Sequence, residues 1–145
     1  MNPLHHLPRR LRRDARGSAV VEFGLLAPVV IAMMLGVLQL GIAVQNYNAV
    51  RSVAGDVARH AMVQFTVGQP MTDQGMIDYA TGIGEAAPYL LTSPTVQVTD
   101  VASPQVANTI EKTLTITYQV PTVFGMLGVR GPHLSYSRPI IVTNS

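Results

Sequence analysis

The stretch GSAVVEFGLLAPVVIAMMLGVLQLGIAVQNYNAVRSVAGDVARHA, residues 17–61, decides the fold. Its first part is apolar all round, and its last part is apolar on one side. From Phe23 to Val50 there is no charged residue, and a membrane-spanning helix needs about 20 mostly apolar residues. One carboxylate, Glu22, stands at the entrance of the run. Five arginines precede it: Arg9, Arg10, Arg12, Arg13 and Arg16. An unpaired acidic group at the centre of a membrane helix costs about 2.5–3.5 kcal/mol on insertion scales, and less near an interface. Glu22 therefore needs an explanation, and so do Gly17 and Ser18, which separate it from the arginines.

Beyond the apolar run the pattern stays helical. Tyr47, Val50, Ala54, Val57, Ala61 and Phe65 recur at steps of three and four. Asn48, Ser52, Asp56, Arg59 and His60 lie largely off that stripe, so this part is amphipathic. One helix from about Ala19 to Phe65 would be about 70 Å long, and Val67-Gly68-Gln69-Pro70 would end it. Asp56 and Arg59, three apart, could form a helix-surface pair. A second helix is expected from Thr72 or Asp73, either of which suits a cap. Its apolar face is Met76, Tyr79, Ala80 and Ile83. Glycines at 75, 82 and 84 weaken it, and Pro88 marks its end.

After Pro94 the period becomes two. Val96 and Val98 alternate with polar neighbours, and Leu114, Ile116, Tyr118 and Val120 alternate with Thr113, Thr115, Thr117 and Gln119. Leu134, Tyr136, Ile140 and Val142 continue the pattern, with Arg138 interrupting it and Pro139 pointing to an edge strand or a bulge. The turn Val123-Phe124-Gly125-Met126-Leu127-Gly128 is apolar enough to cap a core or to touch a membrane surface. The expected fold class is therefore α+β. A long N-terminal helix, transmembrane in its first half and amphipathic in its second, packs against a small antiparallel sheet of about three strands, with a short second helix beside them.

The 145 residues carry a formal net charge of +2. That charge is unevenly placed. Residues 1–17 hold five arginines and one aspartate, and the rest of the chain holds five basic and seven acidic residues. The basic character thus belongs to the leader and not to a nucleic-acid-binding face. Arginines before an apolar span keep the N-terminus cytoplasmic and send the remainder outward. There is no cysteine, so disulfides and thiolate metal sites are excluded.

Glycine, a small residue, three more residues and then Glu-Phe opening an apolar helix resemble the processing site of a type IV prepilin. The resemblance narrows over roughly residues 9–62. The runs A-V-V-E-F-G-L-L-A-P and L-G-V-L-Q-L-G, with the tail ending A-R-H-A, look like the N-terminal signature of TadE-like pseudopilins of the tight-adherence pilus system. Position 39 is Gln where the resemblance leads one to expect an acidic residue, which keeps hydrogen bonding and removes a charge.

This resemblance implies a prepilin peptidase substrate cut between Gly17 and Ser18. It implies an inner-membrane, single-pass protein with a cytoplasmic N-terminus and an extracytoplasmic head, placed in a pilus or at its base. Its implied partners are the peptidase, the major pilin and other pseudopilins, inner-membrane platform proteins and membrane lipid. The major pilins of such systems are far smaller, so the head argues for a minor component. The organisation would be a leader over 1–17, removed on processing, a transmembrane helix over 18–45 and a pilin-like head over 46–145. Cutting would free an amine at Ser18, and Glu22 of one subunit could pair with the Ser18 amine of another, with Phe23 beside them, setting axial register.

Other readings compete. A secretory signal peptide has an apolar region of about 7–15 residues followed by a small-residue cleavage site. Here the run is longer, and Gly41-Ile42-Ala43 is a poor match. An uncleaved, membrane-anchored binding or adhesion domain is the main alternative function. Glu22 alone could reach the headgroups, and Pro28 could act only as a kink or loosen the helix locally. Thr81-Gly82-Ile83-Gly84-Glu85-Ala86-Ala87 resembles a dinucleotide fingerprint but follows a helix rather than a strand. His5 and His6 lie in the leader, while His60 and His133 are isolated. Nothing groups serines, aspartates and histidines into a catalytic arrangement. An enzyme, a cofactor, a bound metal, a small-molecule substrate and nucleic acid are accordingly not expected.

Overall fold

A computed structural model describes residues 15–105, 109–125 and 128–143, with side chains over residues 17–105, 109–125 and 128–141. Helix α1 spans Ala15–Thr66 and helix α2 spans Asp73–Glu85. Strands β1 (Thr95–Asp100), β2 (Thr109–Gln119) and β3 (His133–Thr143) form one antiparallel sheet in the order β1-β2-β3. The architecture is α+β, as the switch of period after Pro94 requires. Two compact units divide the chain, Met1–Leu38 and Gln39–Ser145.

In the first unit the described residues belong to α1. It is apolar on every side, and among the described residues nothing covers it: Val20, Phe23 and Leu25 are each 72% exposed. Pro28 lies within the helix and has no N–H to offer the carbonyl of Gly24. Pro28 leaves α1 a single element.

In the second unit α1 turns amphipathic. Val50, Val53, Ala54, Val57, Ala58 and Ala61 are buried, and they share one core with Leu114, Ile116, Tyr118, Val120 and Ile140 of the sheet side. Val53 and Ala58 widen the expected stripe, while Tyr47 stays exposed at its margin, edge-on to Tyr136 at 6.3 Å. The helix stops as the sequence predicts. Gly68 adopts φ +75, its N–H donates to Phe65 O and Gln69 N–H donates to Gln64 O. These two bonds form the left-handed cap that glycine favours.

Helix α2 settles the choice between Thr72 and Asp73. Thr72 is the cap, its Oγ1 accepting from Gly75 N at 3.0 Å, and Asp73 is the first helical residue. Buried Met76, Ala80 and Gly84 face the core. Gly84 admits Leu91 and Pro94 closely, and Leu91 N donates to Gly84 O at 2.8 Å.

The register of β2 with β3 runs unbroken from Thr109↔Thr143 to Gln119↔His133, and Pro139 lies opposite Thr113. Pro139 therefore marks an edge strand and not a bulge. The inner face carries Val96, Val98, Leu114, Ile116, Tyr118, Leu134, Tyr136 and Ile140, together with Lys112 and Arg138. The outer face is rich in hydroxyls, with Thr115 and Ser137 hydrogen-bonded at 2.9 Å. Arg138, which breaks the apolar alternation, lies against Gly55 of α1, where no side chain obstructs the guanidinium. Glu111 is buried on the outer side because the β1–β2 connection folds over it. Gln105 N donates to its Oε2 at 2.8 Å. Near β3, a Cβ on Gly131 would overlap the Val120 carbonyl, so the close return of the chain there requires glycine.

Lys112 reaches from the sheet to Asp73 Oδ1 at 2.7 Å and Asp100 Oδ1 at 2.6 Å. Hydrogen bonds to Asp100 and then Asp73 raise its ammonium above the ordinary 10.5, against a smaller opposing effect of burial. A raised folded-state value means that this stabilisation is complete below the unfolded value and disappears as pH climbs through the folded one. The head should therefore lose stability in alkali above about pH 10. Lys112→Met should flatten that loss, measured as denaturation midpoints at neutral and strongly alkaline pH. Parallel curves for the two proteins would show that Lys112 is not linked to folding.

Candidate functional site

The sequence places its candidate site at the start of α1. Gly17 and Ser18 lie in the first turn, and both are exposed. Ser18 Oγ donates to Glu22 Oε1 at 3.2 Å, the i to i+4 reach of one helical turn. Phe23 follows, 72% exposed. Arg16 is helical in backbone, whereas Arg9, Arg10, Arg12 and Arg13 lie outside the described residues, as do His5 and His6. The backbone across Gly17-Ser18 is thus helical, and a peptidase that takes extended chain must first unwind this turn. Unwinding it costs little. Glycine is about 1 kcal/mol poorer than alanine in a helix, the first N–H groups of any helix lack partners, and no acidic residue lies in the first turn.

Among the described residues, Glu22 has the Ser18 hydroxyl as its hydrogen-bond partner. The carboxylate is exposed, and so are Val21, Phe23, Leu25 and Leu26 around it.

Gln39 is the residue whose role the sequence does not disclose. It opens the second unit and stands on the face of α1 that continues through Ile42, Ala43, Asn46 and Val50. Its amide is used at both ends. Nε2 donates to Pro121 O at 3.1 Å, and Oε1 accepts from Val123 N at 3.1 Å. The side chain thus clamps the connection after β2. Val123 is 38% exposed and Val129 52% exposed, while Phe124 between them in the chain is partly buried. Met126 and Leu127 lie outside the described residues.

On the head, Asp56 accepts a hydrogen bond from Tyr89 Oη at 2.7 Å, and no ion pair joins Asp56 to Arg59 among the described residues. That bond to a carboxylate is the main reason the Tyr89 phenol stays above its ordinary 10.0. His60 stacks on Tyr79 with ring centres 4.3 Å apart, in the same shallow cleft. The Thr81–Ala87 glycines fall at the C-terminal end of α2, where no strand-to-helix phosphate loop exists. Among the described residues, no three His, Asp or Glu side chains gather into a metal-holding group.

Residues 17–59 match the model of the TadE-like protein family. No curated protein and no solved structure matches the chain. The matched segment begins at Gly17, runs through Glu22 and Gln39, and ends on the head-facing half of α1. Its apolar part is long enough to be a membrane span, with no part of its most apolar window buried. Over that segment the chain is similar to TadE-like proteins.

Proposed function

We propose that the protein is a minor pseudopilin of a bacterial tight-adherence pilus-assembly apparatus, anchored in the inner membrane with its head outside. In this reading a prepilin peptidase cuts between Gly17 and Ser18 on the cytoplasmic side, and residues 18–145 are the working subunit. Residues 18–45 span the membrane and residues 46–145 form the head. The arginines of the leader hold it in the cytoplasm until the cut is made. The mature subunit then packs by its helix against major pilin, other pseudopilins and the platform proteins.

The observation that carries this reading is the limit of the family match. It starts at Gly17, the residue before the expected cut, and leaves the arginine-rich leader outside. The bare apolar surface of α1 supports it too, since a helix exposed on all sides needs lipid or other helices around it. Once the cut is made, Glu22 gains a positive partner that the uncut chain lacks: the α-amino group of Ser18 on a neighbouring subunit.

Expression with and without the cognate peptidase, followed by N-terminal sequencing, tests the proposal. A start at Ser18 that depends on the peptidase is the expected result. A leader that stays intact would overturn it in favour of an uncleaved anchored binding domain, and a start after Ala43 would make the apolar run a signal peptide.

A further inference from the structure

We infer that the described residues of the β2–β3 connection, 121–125 and 128–130, dip into the outer leaflet of the membrane that α1 crosses, and that Gln39 is the latch holding them there. The inference rests on the reading of α1 as a membrane span. It adds a lipid-contacting surface on the head, separate from the processed end of the helix.

Depth along the helix is the first argument. The run from Phe23 to Val44 contains 22 residues, about 33 Å at 1.5 Å per residue, against a hydrocarbon core of about 30 Å. Gln45, Asn46, Tyr47 and Asn48 follow without interruption and suit the headgroup zone, where tyrosine is enriched. Gln39 lies five residues before Val44, about 7–8 Å deeper along the helix axis. An amide at that depth is costly unless both its ends are bonded, and both ends are bonded, to Pro121 O and from Val123 N.

The second argument is the backbone of the connection. Irregular chain is tolerated at membrane depth only where its polar groups find partners. Here they do. Val123 N is held by Gln39, Phe124 N by Thr122 Oγ1 and Gly125 N by Thr122 O. Gly128 N donates to Gly125 O and Val129 N to Phe124 O, while Pro121 has no N–H. The connection thus pairs several of its backbone groups within itself and with Gln39. Its exposed side chains match this environment. Val123 and Val129 are uncovered. On α1 itself Leu40 and Val44, past the latch, are 65% and 53% exposed. Arg130 comes next in the chain and is exposed, as suits a cation at the headgroup level.

The chain contains neither Trp nor Cys, so one introduced tryptophan reports alone. Three full-length variants, Val123→Trp, Val30→Trp and Gln97→Trp, are reconstituted in phosphatidylethanolamine–phosphatidylglycerol vesicles, with and without acyl-chain-brominated lipid. Val30 lies in the apolar run and Gln97 on the outer sheet face. Bromine should lower the emission of Val123→Trp by about twofold, in the direction of Val30→Trp, and leave Gln97→Trp unchanged. Adding Gln39→Leu should reduce the quenching of Val123→Trp to that of Gln97→Trp. Quenching of Val30→Trp without quenching of Val123→Trp would overturn the loop proposal and leave the span intact. Failure of Val30→Trp to quench would remove the span and the loop proposal together. A Val123→Trp shielded from acrylamide yet untouched by bromine would mean that protein, such as a second copy, covers the loop, and that too would overturn it. Quenching that survives Gln39→Leu would overturn the latch.

Discussion

Glu22→Gln should leave the chain cut after Gly17 and yet stop it from assembling. In the proposed reading the cut would depend on Gly17, Ser18 and access to the first turn, and none of these changes. What changes is the charge that would meet a neighbour's Ser18 amine. Among the described residues Glu22 accepts from the Ser18 hydroxyl, at 3.2 Å, and a glutamine oxygen can still accept that bond. The variant therefore separates the two partners. A hydrogen bond to a charged group contributes about 1.5–3 kcal/mol, so losing it should weaken each subunit contact roughly ten- to hundredfold. Co-purification of cleaved subunit with other pilins, or crosslinking between subunits in membranes, measures the loss. Glu22→Asp should restore part of it. Normal assembly of the glutamine variant would sink the register role, and loss of cleavage would place Glu22 in peptidase recognition instead.

Leu114→Ala should cost the head about 2–5 kcal/mol, the range for deleting a buried leucine side chain and leaving part of its volume empty. Leu114 is fully buried at the centre of β2. It has Val98 on one side and Arg138 on the other, and the Val53–Val57 stretch of α1 shares its core. The neighbouring strands fix its backbone on both sides, so the cavity cannot close by a local shift. With about 5–15 kcal/mol of stability in an ordinary domain, this is a large fraction. Ile110→Ala on the same strand should cost about 1 kcal/mol or less, because Ile110 is 40% exposed. Denaturant midpoints of the detergent-solubilised full chain measure both. Equal losses would mean that the core is not organised around β2.

Features set by neighbours along the chain are legible in the sequence. The three- and four-residue steps of α1, the Thr72 cap, the stop at Gly68 and the alternation of β2 all depend on residues a few positions apart. Pro139 is readable as a sign of an edge, though not as a regular partner of Thr113. Features set across long separations are not legible in that way. Gln39 meets Pro121 and Val123 more than eighty positions away, and nothing local to Gln39 announces a second chain segment at that point. The spacing of Asp56 and Arg59 suggests a pair one turn apart, but the Tyr89 phenol competes successfully from beyond α2. Arg138 reads as an interruption because the space it uses comes from Gly55, on another element. The start of α1 differs for another reason. The helix extends back to Ala15, through Gly17, because the pattern of apolar residues marks where a helix is needed and not where it can begin.

Pro139 has a consequence for how heads can crowd together. Strand β3 is an outer strand of the sheet, and an outer strand ordinarily offers its row of amide and carbonyl groups to any strand that drifts alongside. A residue without an amide hydrogen, set in the middle of β3, interrupts that row. Copies held at high local concentration by their membrane helices would otherwise be prone to fuse their sheets into one continuous ribbon. In an assembly of the proposed kind, the proline would act as a brake on that growth and leave helix packing to set the spacing between subunits.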